Sequence, residues 1–472
     1  MLLCAFGVLT PAAALAAPTP QRNRQPVSAL GSLVQLAGRS GCLVDRSSPR
    51  AGCTRVRALH GPAPFLGSDA VAISPDGRNV YVASSRSNAI AIFTRNVRTG
   101  TLRQRSRTAG CIAVRGADGC ATAIGLRAPN SVAVSSDGRN VYATSLASNA
   151  VVAFHRNRSN GALTQLGNGA GCIANAATTG CTTGRALDGP DVVAISPGGA
   201  NVYVGSFLGS SLAVFSRNTS SGALTQPADV TGCFVNTPTT GCTTALALGN
   251  PEGVTVSPDG DNVYVAAPGS DALGTFTRNT SNGSLTQDTD GTGCISSSAL
   301  TGCTPGTQLA GADAVVVSPN GASIYVTSLE SNSVTAFTRP STGQPAQLTG
   351  TSACVINLLA VGCSLARELN APEGLAVSPD SASLYAVAYT SGALDVFNRN
   401  SGSGAVTPKS RAPGCMVASA TPGCARGRGL LGASSVAVSP DGKNVYSAAF
   451  KSNAVGIFKR VTKTLTRSRS RS

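Results

Sequence analysis

The sequence predicts an all-β fold, a seven-bladed β-propeller of four-stranded antiparallel blades closed by an N-terminal outer strand. Three observations carry this. A unit of about 61 residues recurs seven times along the 472-residue chain. Each unit reads as four short apolar runs parted by tight turns, and no stretch has sustained helical periodicity. The chain also starts partway through a unit, so its two ends complete one another.

The third unit shows the pattern. Residues 191–196, Asp-Val-Val-Ala-Ile-Ser, form a β-rich run that Pro197-Gly198-Gly199 ends. Asn201-Val-Tyr-Val-Gly-Ser206 is a second run, and Ser211-Leu-Ala-Val-Phe215 a third. Arg217-Asn218 opens a turn that Gly222 closes, and Ala223-Leu-Thr-Gln226 is the fourth. The first three runs are nearly continuous in apolar residues, as expected of sheets covered on both faces. The first turn reads Ser-Pro-Asp-Gly at Ser74, Ser257 and Ser439. Proline presets such a turn and glycine supplies its positive φ. A Tyr recurs in the second run (Tyr81 to Tyr446) and a Phe in the third (Phe93 to Phe458), which places both between neighbouring sheets.

Residues 31–36, Gly-Ser-Leu-Val-Gln-Leu, match the fourth run of the second unit. We therefore expect residues 32–36 to supply the outer strand of the last blade. Thr464-Leu465-Thr466 is a competing copy whose turn has lost its glycine. The expected organisation is a signal peptide at 1–17, a linker at 18–30, one propeller at 31–466 and a basic tail at 467–472. The leader is apolar and ends Ala14-Leu15-Ala16, although it lacks the usual Lys/Arg start.

Fourteen of the fifteen cysteines fall into local pairs: Cys42-Cys53, Cys111-Cys120, Cys172-Cys181, Cys233-Cys242, Cys294-Cys303, Cys354-Cys363 and Cys415-Cys424. Zinc sites want closer pairs or added histidines, and redox motifs want Cys-x-x-Cys. Local disulfides and an oxidising compartment, extracellular or periplasmic, are the reading. The formal net charge is +16. One Arg per unit, in the Phe-x-Arg element, is expected on a solvated surface. Without an aromatic stacking module, nucleic acid is not an expected partner. No later segment is long and apolar enough to span a membrane. A small molecule, a saccharide or an envelope component is the expected partner of a monomer.

Ser74-Pro-Asp-Gly-Arg-Asn-Val-Tyr-Val-Ala-Ser84, followed by Ser87-Asn-Ala89 and a turn-Gly-x-Leu-Thr strand, resembles the YVTN-type propeller repeat. In particular it is similar to the seven-bladed lactonase-like family, the fold of a 6-phosphogluconolactonase and of a muconate-cycloisomerising enzyme. The resemblance covers nearly all of residues 31–466. It implies a site of polar and charged residues around the mouth of the central channel. The chain departs from that pattern in having only two histidines, His60 and His155. The latter follows Phe154 on the third strand and reads as a surface residue.

Five residues before the turn Ser stands a polar position in every unit: Asp69, Asn130, Asp191, Glu252, Asp313, Glu373 and Ser434. Symmetry gathers these around the channel mouth, where they would hold a Ca²⁺ ion or a cationic or polyhydroxylated ligand. Equally, each carboxylate would simply accept backbone N–H groups and order its loop. Arg185, Arg367 and Arg428, six residues earlier, would neutralise the ring or bind a ligand anion. The cysteine loops precede the innermost strand and are expected to crown this face. The lead-in to blade one is longer, with 16 positions from Cys53 to Asp69 against 10 from Cys181 to Asp191. His60 and Phe65 are read as part of that surplus. The first functional reading is a secreted binding or structural module. The second, implied by the resemblance, is a lactone hydrolase or isomerase, with Glu252 or Glu373 as general acid/base and His60 or an Arg as helper. A third is a divalent-cation-binding envelope protein.

Overall fold

A computed structural model describes residues 30–48, 52–62, 70–358, 362–409 and 414–462. The expected leader, most of the linker, Cys4, Phe65, Asp69 and residues 464–466 lie outside the described residues. Seven sheets, antiparallel except for a parallel outermost strand, form the blades. The first strands of neighbouring blades touch all the way round, from Val71–Ile73 to Ala433–Val438 and back, so they line the axis. Among the described residues no helix is long and apolar enough to cross a membrane.

Each blade has six strands rather than the four expected. In the second blade, Pro129–Val134, Asn140–Ser145 and Ala150–Arg156 make the meander. The third strand is then shared by two partners. Leu163–Gln165 pairs with its Arg156 end and Cys172–Ala174 with its Ala150 end. Thr182–Thr183 adds a parallel strand outside Cys172–Ala174. The cysteine segment was read as a loop because its strands are only two to four residues long, too short for a periodicity signal.

All seven disulfides form. They tie the fifth strand to the sixth at the outer edge of each blade. The expected crown around the channel mouth is therefore corrected, since each disulfide lies beyond the third strand and far from the axial first strand. Closing loops this small contributes about 2–3 kcal/mol each in the chain-entropy account.

The seventh blade closes as expected. Leu33–Gln35 pairs with Ala454–Arg460, and Cys42–Asp45 and Thr54–Val56 follow outside it. Gly31 supplies the reason the N-terminal copy fits. In the other blades the hairpin glycine before the fourth strand approaches the preceding blade and accepts its tyrosine hydroxyl, as Gly161 does from Tyr81 at 2.9 Å. Tyr385 donates to the Gly31 carbonyl at 2.8 Å, so Gly31 takes this part for the last blade. A Cβ on Gly161 would lie 2.2 Å from the Asn79 amide, which excludes any other residue there.

The Phe-x-Arg arginines are not solvated. Arg95, Arg156, Arg217, Arg278, Arg339, Arg399 and Arg460 are all buried. Each reaches from one blade into the one before it. Arg217 donates to the Tyr142 hydroxyl (2.8 Å), its own-blade Gly199 carbonyl (2.8 Å), Asp137 (2.8 Å) and Asn140 (2.6 Å). Five of the seven find an aspartate of the Ser-Pro-Asp-Gly type of turn: Asp441, Asp76, Asp137, Asp259 and Asp380. A planar five-donor guanidinium can satisfy this many acceptors at once, which is why burial is tolerated. The recurring Tyr and Phe are buried between sheets, as expected.

Candidate functional site

The polar position of each first strand does converge on the axis. Asn130 donates to Asp191 of the next blade. Glu252 feels the charges of Asp313, Asp191 and Glu373, on three different blades. Burial first, and then these like charges, push its carboxyl well above the usual range. Asn130, Asp191, Glu252, Asp313, Glu373 and Ser434 are each no more than 4% exposed.

Backbone packing explains this closure. The glycines of the two Pro-Glu-Gly segments have no room for a side chain. A Cβ on Gly253 would come 2.4 Å from the Asp313 carbonyl oxygen, and one on Gly374 2.5 Å from that of Ser434. Small polar groups tighten the axis further. The Val193 and Val71 amides donate to the hydroxyls of Ser131 and Ser435 on neighbouring first strands. Among the described residues, six of the seven ring positions thus form a buried polar floor. Among the described residues no group of three or more His, Cys, Asp or Glu side chains is arranged to hold a metal ion.

Above the floor, the loops between second and third strands form a rim. On blades six, seven and one it carries residues the sequence reading did not select. The Arg86 guanidinium lies 4.2 Å from the centre of the Phe450 ring, and the Lys451 ammonium 4.2 Å from that of Tyr389. Tyr389 links rim to floor. Its hydroxyl is pushed up by burial and by the Glu373 charge, and lowered by that of Arg86. Arg86 and Lys451 are exposed, while Phe450 and Tyr389 are half-buried. The signal that could have found them is the cation at the next loop position, Arg86 and Lys451, where Ala147, Leu208 and Gly269 stand in other blades.

His60 keeps a regular place rather than belonging to the surplus. Its amide donates to Ser87, as the Arg127 amide does to Ser148 in the next blade. Gly61 then donates to Asn453 as Gly189 does to Asn149. The surplus therefore follows Pro62, where residues 63–69 lie outside the described residues. No hydrogen bond or ion pair among the described residues joins His60 to Glu252 or Glu373. His155 is exposed, as expected.

Arg185, Arg367 and Arg428 do not face the ring. Arg185 donates to the Gly241 carbonyl at 2.6 Å and that of Asp229 at 3.0 Å, and Arg428 to Gly52 and Gly38 at 2.6 and 2.7 Å. Arg367 packs against Gly423. Each holds the cysteine segment of the following blade at the outer rim. Arg57 does the same, donating to Asp118 and Arg107 at 2.8 Å. It was missed because the surplus shifts its spacing to Asp69.

One further carboxyl has a raised pKa away from the axis. Asp395, on the third strand of blade six opposite Cys415, is buried, and Oδ2 has no hydrogen-bond partner among the described residues. Burial, and secondarily the Glu368 charge, push it up to about 8.

Comparison with known proteins agrees with this architecture. The family model described as "Lactonase, 7-bladed beta-propeller" matches residues 67–173. No curated protein matches the chain. A candidate 6-phosphogluconolactonase from Bacteroides fragilis superposes with a TM-score of 0.54 at 19% identity, covering 83% of this chain and 93% of its own. A second, from Bacteroides uniformis, gives 0.50 at 19% identity, covering 79% and 88%. At such identities the likeness speaks for the fold alone. The chain thus resembles the seven-bladed lactonase-type propellers, in fold throughout the ring and in sequence over residues 67–173.

Proposed function

We propose that this protein is a secreted binding module whose ligand docks at the channel mouth, on the rim of blades six, seven and one. The observation that supports this most is the pairing of two exposed cations with two aromatic faces, Arg86 on Phe450 and Lys451 on Tyr389, over a floor of carboxyl groups. Cations on the rim attract a carboxylate or phosphate, and the aromatic faces cover a sugar ring. A small polyhydroxylated acid fits this chemistry. Seven disulfides fit an oxidising compartment. Calorimetric titration with gluconate and 6-phosphogluconate tests the proposal. Binding that falls at least about tenfold in Arg86→Ala and Lys451→Ala supports it. Equal affinity in wild type and both variants would sink it.

A second reading, hydrolysis of the corresponding lactone, is favoured by the family match over residues 67–173 and by the raised Glu252 carboxyl, which is suited to a general acid. The burial of the floor weighs against it, because no reacting atom reaches Glu252 without an opening of the axis. A panel of aldonolactones separates the readings. Turnover that Glu252→Gln or Glu373→Gln abolishes, with ligand affinity retained, would move the assignment to an enzyme. Calcium-dependent melting would instead favour a cation site at the floor.

A further inference from the structure

We infer that the seam between blades seven and one is a second binding surface, a groove for an acidic polysaccharide. The groove, of about 980 Å³, runs between the outermost strand of blade seven (Thr54–Val56) and the fourth strand of blade one (Leu102–Gln104). Arg46, Arg55, Arg57, Arg103, Arg105 and Arg107 line it, and no acidic residue does. Asp118 pairs with Arg46, and Arg57 is bound to backbone carbonyls. Arg55, Arg103, Arg105 and Arg107 are exposed and make no side-chain hydrogen bond or ion pair among the described residues.

The other blades provide an internal control. The same groove recurs between blades two and three (about 550 Å³) and between blades three and four (about 570 Å³), and there it is neutral apart from the committed Arg185. Register aligns Arg103 with Thr164, Thr225 and Thr286, each opposite the same third-strand position. Arg55 aligns with Thr122, Thr183 and Thr244, and with Arg426 in blade six. Arg107 keeps a left-handed backbone (φ 54°) where Asn168, Gly38 and Gly350 stand in other blades. The fold therefore needs no arginine at these places; four have accumulated along one groove and stay unpaired.

The chemistry selects the partner. Guanidinium forks spaced along an open groove match repeated carboxylate or sulfate groups on an extended chain. No aromatic side chain lines the groove to stack on a base, which disfavours nucleic acid. A recessed channel between blades does not fit a flat lipid surface, and it exposes no apolar wedge.

The test uses the full chain with polygalacturonate as the carboxylate probe and heparin as the sulfate probe, in about 150 mM salt. We expect salt-dependent binding of at least one of them. The triple change Arg55→Thr, Arg103→Thr, Arg105→Leu, which installs residues native to other blades, should weaken it at least about tenfold. The charge-matched control Arg98→Thr, Arg139→Thr, Arg158→Thr, on other exposed positions, should change it by less than about twofold. Equal weakening by both triples would overturn the groove, as would the absence of glycan binding. Duplex DNA or anionic vesicles bound as tightly as the glycans, with the same loss in the groove variant, would overturn the glycan assignment. Unchanged melting of both variants shows that the comparison is made on folded protein.

Discussion

The protein uses carboxylates in two opposite ways. At the outer turns Asp76, Asp137, Asp259, Asp380 and Asp441 each meet an arginine of the next blade, and each titrates below its ordinary value. For Asp137, burial pushes up, but hydrogen bonds from Ser135, the Arg139 amide and Arg217, with the Arg217 charge, outweigh it and bring it to about 2. In the interior Glu252 and Asp395 meet burial and other carboxyls, and both rise. The repeat is the same, yet the partner decides the sign. The outer acids favour the folded ring at neutral pH, whereas the inner ones oppose it and are retained despite that cost.

The blades also show which half of the outer pair matters. Arg278 finds no aspartate, because Gly198 stands at the turn, and Arg399 meets Asn320 instead. Both stay buried, and both keep their tyrosine hydroxyl and their own-blade carbonyl. The carboxylate is dispensable and the guanidinium is not. The largest expected effect is therefore Arg217→Met, which removes the donor to the Tyr142 hydroxyl, the Gly199 carbonyl, Asn140 and Asp137 at once. A loss of about 3–5 kcal/mol in chemical denaturation is expected. A loss below about 1 kcal/mol would show that the blades are held by apolar contact alone.

Asp395→Asn should act in the opposite direction. With a folded pKa of about 8 against an ordinary 3.8, the native state keeps a proton that the unfolded chain releases. Stability is then lost progressively as pH rises from about 4 to about 8. The variant should remove that loss, gaining up to about 5 kcal/mol at pH 8 and nothing below pH 4. A wild-type melting curve flat over this range, or a variant no better at pH 8, would break the contrast drawn above.

The smallest effect is expected for Asp137→Asn, which copies the natural Asn320 arrangement. Its depressed pKa supplies stability present above pH 3.8 and lost as pH falls toward about 2. Because the carboxylate is partly solvated, screening keeps the cost at pH 7 to about 1 kcal/mol or less. A cost equal to that of Arg217→Met would restore the ion pair to equal rank with the guanidinium.

Much of this architecture was legible in the chain. The strand runs, the turn glycines, the cysteine pairs and the closing role of residues 33–35 follow from local pattern, because each depends on neighbours in sequence. The convergence of Glu252, Asp313 and Asp191 was legible too, since a repeat position must return to one radius of a closed ring. What failed were inferences about radius and about partners one unit away. The cysteine segments went to the outer edge because the long third strand had free pairing positions there. Arg185, Arg367 and Arg428 followed them. The Phe-x-Arg arginines went inward because the acceptors that bury them, Tyr142 and Asn140 for Arg217, lie about one repeat earlier in the chain. The rim pairs of Arg86 with Phe450 and Lys451 with Tyr389 join residues from opposite ends of the sequence or from adjacent units, and no window of sequence contains both.

By itself, then, the sequence determined the blade count, four of the six strands of each blade, the disulfide partners and the terminus that closes the ring. All of these are set by short-range periodicity and turn chemistry. Tertiary structure decided which charges are buried, which acids are pushed up and which down, and which arginines remain unpaired at the seam. Those outcomes depend on what a neighbouring blade presents across the interface. Desolvation and pairing act through space, and the chain brings the partners together only when the ring closes.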